Sequence, residues 1–351
     1  LDKSRVPDVA TRLDTVLADH PGDGDALTAL SVWLRDDLEA CNRTIRARME
    51  SAIDLIPRLA AHVVAAGGKR LRPVLTLAAA RLCNYPGSGE AARHIQLAAC
   101  VELIHTATLL HDDVVDASLL RRGRASANAV FGNKPPVLVG DFLFARAFQI
   151  MVEDGSPRVL AILANATATM AAGEVLQLTT QNDLDTTDAI YLDVVRGKTA
   201  ALFGAACQVG AVVAGRPDAE PALAEYGLNL GIAFQLVDDA LDYAADEQVL
   251  GKTVGDDFRE GKITLPVLMA YRCGTEAERS FWQRTIGRAE QEDGDLDQAL
   301  ALIHKHDAIG GTLARAGDFA TQACHALAVF PDTPLRHRLR CVAGYSVSRS
   351  L

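Results

Sequence analysis

Aromatic side chains are scarce in this sequence, with 10 Phe, 6 Tyr and 2 Trp among 351 residues. Sheets draw much of their cross-strand packing from such residues, so the shortage argues against a β architecture. Cysteine offers no scaffold. The seven, at 41, 83, 100, 207, 273, 324 and 341, are scattered, odd in number and without a C-x-x-C pair. A disulfide framework or zinc ribbon is excluded on that pattern, and a reducing compartment fits best. Positive charge is also short. The 35 Lys and Arg against 45 Asp and Glu give a formal charge of −10, which speaks against nucleic-acid binding through bulk charge. Long apolar runs are missing: the longest uncharged stretch, 199–215, has 17 residues and includes Gly204, Gln208 and Gly210. A spanning helix needs ~20 apolar residues, so no transmembrane segment is expected and 199–215 reads as a buried core helix. The opening residues Asp2, Lys3, Arg5, Asp8 and Arg12 stand where a signal peptide would carry its apolar core, and a cytoplasmic protein is expected.

What is abundant is alanine, 58 residues, within an ordinary globular balance of 49% apolar and 23% charged residues. Alanine favours closely packed helices. Helical periodicity runs through most of the chain, over 27–65 with Pro57 as a kink or break, 72–83, 90–117, 138–152, 157–180, 186–196, 197–214, 220–245, 262–273, 275–290, 295–307 and 309–329. Residues 85–89 and the polar, Gly- and Pro-interrupted 121–136 read as loops. No linker or composition shift divides the chain. One all-α domain over 1–351 is expected, with 1–25 as an N-terminal extension.

The sharpest feature is an acidic pattern that occurs twice, D-D-x-x-D at Asp112-Asp113-Val114-Val115-Asp116 and again at Asp238-Asp239-Ala240-Leu241-Asp242. On a helix, Asp112 and Asp116 lie about 40° apart on one face and about one turn apart in height, and so do Asp238 and Asp242. Like charges stacked at i,i+4 destabilise a helix, and apolar neighbours such as Leu109, Leu110, Val114 and Val115 make it worse unless a cation compensates. Oxygen ligands of this kind suit Mg²⁺, which accepts one or two carboxylates, water and substrate phosphates. Asp113 and Asp239 point about 100° away and rank below Asp112 and Asp238 as ligands. A single cluster of this sort is commonly a solvated helix end; two in apolar sequence are not.

Basic residues stand ready for the phosphates, in knots flanked by glycine or proline: Gly67-Gly68-Lys69-Arg70-Leu71-Arg72-Pro73, Arg121-Arg122-Gly123, Gly197-Lys198-Thr199, Gly251-Lys252-Thr253 and Gly261-Lys262. Arg grips oxyanions with two parallel donors and Lys supplies a point charge. Each knot alone reads as a surface turn; their conjunction carries the weight. His105, seven residues before Asp112, lies about 20° from the same helix face.

In this order the motifs resemble the trans-isoprenyl diphosphate synthases, head-to-tail prenyltransferases. The resemblance runs from about residue 45 to 266 and more loosely to the end. It implies a bundle of long antiparallel helices around a central cavity. It also implies ionisation of an allylic diphosphate, attack by the double bond of isopentenyl diphosphate, and loss of a proton to give a trans product. Carried over by position, Asp112, Asp116, Asp238 and Asp242 match the metal ligands, with three Mg²⁺ ions as the family usage. Arg121, Lys198, Thr199, Gln235, Lys252 and Lys262 match the allylic diphosphate site, with Gln235 and Thr199 beside the developing cation and Lys262 a more distant support. Lys69, Arg72, His105 and Arg122 match the isopentenyl diphosphate site. The family also implies a homodimer, and a protein cytoplasmic or peripheral to the membrane that receives its product.

Chain length in such enzymes depends on the pocket below the first motif. Short-chain relatives often place aromatic residues four or five positions before the first Asp; here Ala107 and Thr108 stand there. The closest resemblance is to octaprenyl or decaprenyl synthases that supply a quinone side chain, with a deeper floor at Phe142, Phe144, Phe148 or Met151. A short-chain farnesyl or geranylgeranyl synthase is the main alternative. A class I terpene cyclase would leave the second diphosphate site unexplained, and a non-catalytic subunit usually lacks the acidic motifs kept here. Residues 1–25 and 331–351 match nothing of known role.

Overall fold

The computed structural model describes residues 26–65, 69–121, 123–244 and 254–348. Among them the strands amount to one hairpin, Leu120–Arg121 against Arg124–Ala125, and nearly everything else is helix. The all-α expectation holds.

The helix that carries the first acidic motif, Arg93–Val115, is buried on nearly every side and has its apolar residues all round, as a central helix must. Around it pack Arg35–Arg48, Leu71–Leu82 and Lys134–Asp154. The helix with the second motif, Glu220–Ala244, lies between Ala201–Val213 and Ala308–Ala326. Small residues set these distances. A Cβ added at Gly227 would fall 2.4 Å from the Phe203 carbonyl oxygen, and one at Gly231 would fall 2.7 Å from the Ala200 Cα. The two helices are therefore in backbone contact, a use of the small-residue composition that bulkier side chains would prevent.

Several sequence boundaries shift. The 27–65 stretch divides into Ala26–Trp33, Arg35–Arg48 and Leu55–Ala65; the break lies at 49–54, and Pro57 sits in the first turn of the last helix, where its missing N–H costs nothing. The polar 121–136 region is no simple loop. After the hairpin it forms Ala127–Phe131, capped by the Ser126 hydroxyl, and then starts Lys134–Asp154, whose prolines again occupy the first turn. The tail, which matches nothing of known role, forms the helix Pro334–Ser348. Two helices, Lys134–Asp154 and Pro157–Thr180, are apolar and long enough to cross a membrane by length and composition, which the uncharged-run criterion passes over because Asp141, Arg146 and Glu174 interrupt them.

Candidate active site

A short π-helical turn, Arg196–Ala200, joins Asp188–Val195 to Ala201–Val213 and carries the whole Gly197-Lys198-Thr199 knot. Such turns insert a surplus residue into a helix and are frequent at functional sites. Here the flanking backbones touch: a Cβ at Gly173 would fall 2.5 Å from the Lys198 nitrogen, and one at Gly197 would fall 2.9 Å from the Gly173 Cα. That approach brings Lys198 Nζ to 2.8 Å from both Glu174 Oε2 and Gln177 Oε1. The next residue, Thr199, turns the other way and donates its hydroxyl to Gln235 Oε1 at 2.7 Å.

The first motif is held at its helix end. His111 Nε2 lies 3.1 Å from the Val137 carbonyl oxygen, and the ring packs against Gly140, where a Cβ would come within 2.3 Å of that nitrogen and displace it. Asp113 faces inward and accepts from Arg121 Nε at 2.6 Å. Asp112 is pushed up to about 7 by removal from water, opposed by the ammonium of Lys198 and reinforced by Glu174. Asp116 meets Lys262, whose Nζ lies 3.0 Å from Asp116 Oδ2 and 2.5 Å from Glu260 Oε2. Burial would lower the Lys262 ammonium; Asp257, Asp116 and Glu260 overcome it and hold the group above its usual range. Lys262 is thus at the first motif itself, nearer than the remote support the sequence suggested. Its segment is pinned by Gly261, at φ +66, whose carbonyl accepts from the Asn182 backbone at 3.0 Å; a Cβ there would collide with the Asn182 side chain.

In the second motif, Asp238 and Asp242 are partly exposed, whereas Asp239 is buried, accepting from Tyr191 at 2.6 Å and from Gln235 at 2.7 Å. Burial, with Asp257 adding repulsion, pushes Asp239 up to about 7. Asp242 Oδ2 accepts from the Asp257 backbone at 3.0 Å. Gln235, Asp239, Lys198, Thr199 and Lys262 share one cavity of about 100 Å³. Lys262 lines that cavity and also pairs with Asp116, which links the cavity beside the second motif to the end of the first.

The third group gathers about two to three turns before the first motif, at His105 and Glu102 of the same helix. Arg72 lies 3.0 Å from His105 Nε2 and stacks 4.5 Å from the Phe203 ring centre. Arg70, in the left-handed region at φ 49, forms an ion pair with the buried Glu102. Lys69 is exposed, its Nζ 3.5 Å from the Tyr345 hydroxyl. Arg122, Lys252 and the glycines at 67, 68 and 251 lie outside the described residues. Ala107 is fully buried; Thr108 donates its hydroxyl to the His105 carbonyl. Of the deeper floor candidates, Met151 is buried, but Phe148 is 44% exposed and faces outward, which removes it. Sequence reasoning missed Glu174, Gln177, Tyr191, Glu102 and Tyr345. None sits in a motif, and only the helix packing brings them in.

Residues 53–303 match the polyprenyl synthetase family model. The chain belongs to the polyprenyl synthetase family. It is a prenyltransferase of a metal-dependent family whose substrates are allylic and isopentenyl diphosphates. It is 46% identical over 316 residues to octaprenyl diphosphate synthase of Escherichia coli (strain K12), covering 89% of this chain and 96% of that one. A crystal structure of polyprenyl synthase from Caulobacter crescentus CB15, complexed with calcium and isoprenyl diphosphate, superposes with a TM-score of 0.89 at 50% identity, covering 94% of this chain and 100% of that one. A decaprenyl diphosphate synthase from Rhodobacter capsulatus gives a TM-score of 0.87 at 53% identity, with 93% and 99% covered. The donor set in this polyprenyl synthetase fits a hard divalent cation. The two motifs offer carboxylate oxygens alone, and a protein ammonium already bridges Asp116 and Glu260, so the site accepts positive charge among these carboxylates.

Proposed function

We propose that this chain condenses an allylic diphosphate, farnesyl or geranyl diphosphate, with successive isopentenyl diphosphates to give a long all-trans polyprenyl diphosphate. The product is of octaprenyl to decaprenyl length and serves as a quinone side-chain precursor. The observation that carries this reading is the link that Lys262 makes between the cavity beside the second motif and the end of the first, in a chain 46% identical to an octaprenyl and 53% to a decaprenyl synthase. Asp112 and Asp116, with Asp238 and Asp242, would hold Mg²⁺, three ions by likeness to the family. Bound Mg²⁺ offsets the charge of the diphosphate as its C–O bond breaks. Lys198, Arg121 and Lys262 receive the leaving diphosphate, with Lys252 assigned there by sequence. Lys69, Arg72 and His105, with Arg122 by sequence, hold isopentenyl diphosphate so that its double bond meets the cation. Gln235 and Thr199 flank that cation with oxygen, and the apolar helices keep water from capturing it.

The second basic group favours a synthase over a terpene cyclase, which needs no second diphosphate. Small side chains at 107 and 108 favour a long product over a short one. The whole of 1–351 is read as one synthase domain, cytoplasmic or peripheral to the receiving membrane and without a transmembrane segment. A homodimer is supported by an exposed stripe at alternating three- and four-residue spacing, Leu138, Asp141, Ala145, Phe148 and Val152, beside Ala161, Ala168, Ala172 and Val175 on the next helix. The deciding experiment is incubation with farnesyl diphosphate, isopentenyl diphosphate and Mg²⁺ followed by product sizing. A ladder ending at octaprenyl to decaprenyl is expected. A product stopping at geranylgeranyl, a cyclic hydrocarbon, or no product would each overturn the reading.

A further inference from the structure

We propose that Tyr191 is a positioning residue for the condensation, acting through Asp239 to fix which way round the Gln235 amide lies. This rests on the reading above that Gln235 and Thr199 flank the allylic cation.

Four side chains from three elements form one hydrogen-bonded row. The Tyr191 hydroxyl donates to Asp239 Oδ2 at 2.6 Å, Gln235 Nε2 donates to Asp239 Oδ1 at 2.7 Å, and the Thr199 hydroxyl donates to Gln235 Oε1 at 2.7 Å. Tyr191 is 3% exposed and Asp239 5%, so solvent has little room to replace either bond. Tyr191 and Gln235 both donate to Asp239, which commits both of its oxygens as acceptors, whereas an amide has one donating and one accepting end. With one Asp239 oxygen taken by Tyr191, the other commits the Gln235 NH₂ group, and the amide oxygen must face Thr199. The single Thr199 proton is then used on that oxygen. With its proton used on Gln235, the Thr199 hydroxyl has lone pairs and no proton left to turn toward the cavity. A reversed amide would donate to Thr199 and free the hydroxyl proton to point where positive charge develops, exchanging attraction for repulsion. The sense of the row is set at its far end, where the Tyr191 proton is given to Asp239. The same row gives the middle Asp of the second motif a task other than metal binding.

Tyr191→Phe should lower kcat about tenfold, with KM for both substrates and half-saturating Mg²⁺ within about twofold of the parent. In a Gln235→Ala background the same change should cost less than about twofold, because it acts through that amide. An equal loss in both backgrounds, a roughly tenfold higher Mg²⁺ requirement, or a kcat loss that only tracks a smaller folded fraction by circular dichroism overturns the proposal. Should Tyr191→Phe not fold, Asp239→Asn carries the test. Its size is unchanged, but its NH₂ group must face one of the two donors, so kcat should fall at least as far while the melting temperature stays within a few degrees. Parental kcat in Asp239→Asn overturns the proposal and leaves the synthase reading intact; a parent chain making no polyprenyl diphosphate overturns both.

Discussion

Lys262 and Asp116 stand 146 positions apart in the chain, yet the ammonium of one lies 3.0 Å from a carboxylate oxygen of the other. The contact joins the segment after the second acidic motif to the end of the first. It also supplies one positive charge among the carboxylates of Asp257, Asp116 and Glu260. Lys262→Met keeps the apolar stem and removes the charge. Steady-state assays should show kcat reduced roughly tenfold or more in a folded protein. Parental kcat would show that the ion pair has no part in turnover.

Stability without metal should depend on pH in an unusual direction. Asp112 and Asp239 are both raised to about 7 by burial. The folded state therefore binds more protons than the unfolded chain between about pH 4 and about pH 7, and stability falls as pH rises through that window. Melting temperature in a chelator should drop from about pH 5 to about pH 8, and added Mg²⁺ should flatten the slope by binding the ionised carboxylates. Calorimetry showing a metal-free protein that gains stability over the same range would contradict the assignment.

Glu102 should matter to one substrate and not the other. Its ion pair with Arg70 anchors the segment bearing Lys69 and Arg72 onto the helix that carries His105. Glu102→Gln weakens the anchor while keeping an acceptor. KM for isopentenyl diphosphate should rise about fivefold to tenfold with kcat within about twofold. An equal rise in KM for the allylic substrate would point to general loosening.

Product length tests the pocket below the first motif. Ala107 is fully buried one turn before Asp112. Ala107→Phe adds a ring where the growing chain would pass, at an overpacking cost of about 1–3 kcal/mol. Products sized by chromatography should shift to shorter chains. An unchanged distribution would put the floor elsewhere.

The exposed stripe makes assembly testable. Ala168→Arg places a charge in its middle, and light scattering should report a monomer where the parent gives a dimer. A monomeric parent, or a variant still dimeric, would rule out that face.

The acidic motifs and their basic partners were legible in the sequence because metal and phosphate chemistry restricts residue type and spacing. Helical periodicity located most of the bundle for the same reason: long apolar patterns leave few alternatives. The failures have a common cause. Pro57 reads as a break on propensity, yet it begins a helix, and the actual break at 49–54 is set by how that segment meets its neighbours. Tyr191, Glu174 and Glu102 are ordinary residues in helical sequence. Their roles arise from contacts 24 to 48 positions away, which no local window contains. Lys262 was identified but placed too far out, because spacing along the chain says nothing about where a loop is pinned.

The π turn at Arg196–Ala200 also bears on how the site answers a change in chain length. Loops commonly absorb insertions and deletions, whereas this helix already holds one surplus residue. Deleting Arg196 or Ala200 would remove the surplus and return the turn to ordinary helical hydrogen bonding, with Lys198 and Thr199 still present but turned by about 100° per residue of shifted register. The length of the turn, and not only its side chains, therefore decides that Lys198 reaches Glu174 and Gln177 while Thr199 reaches Gln235.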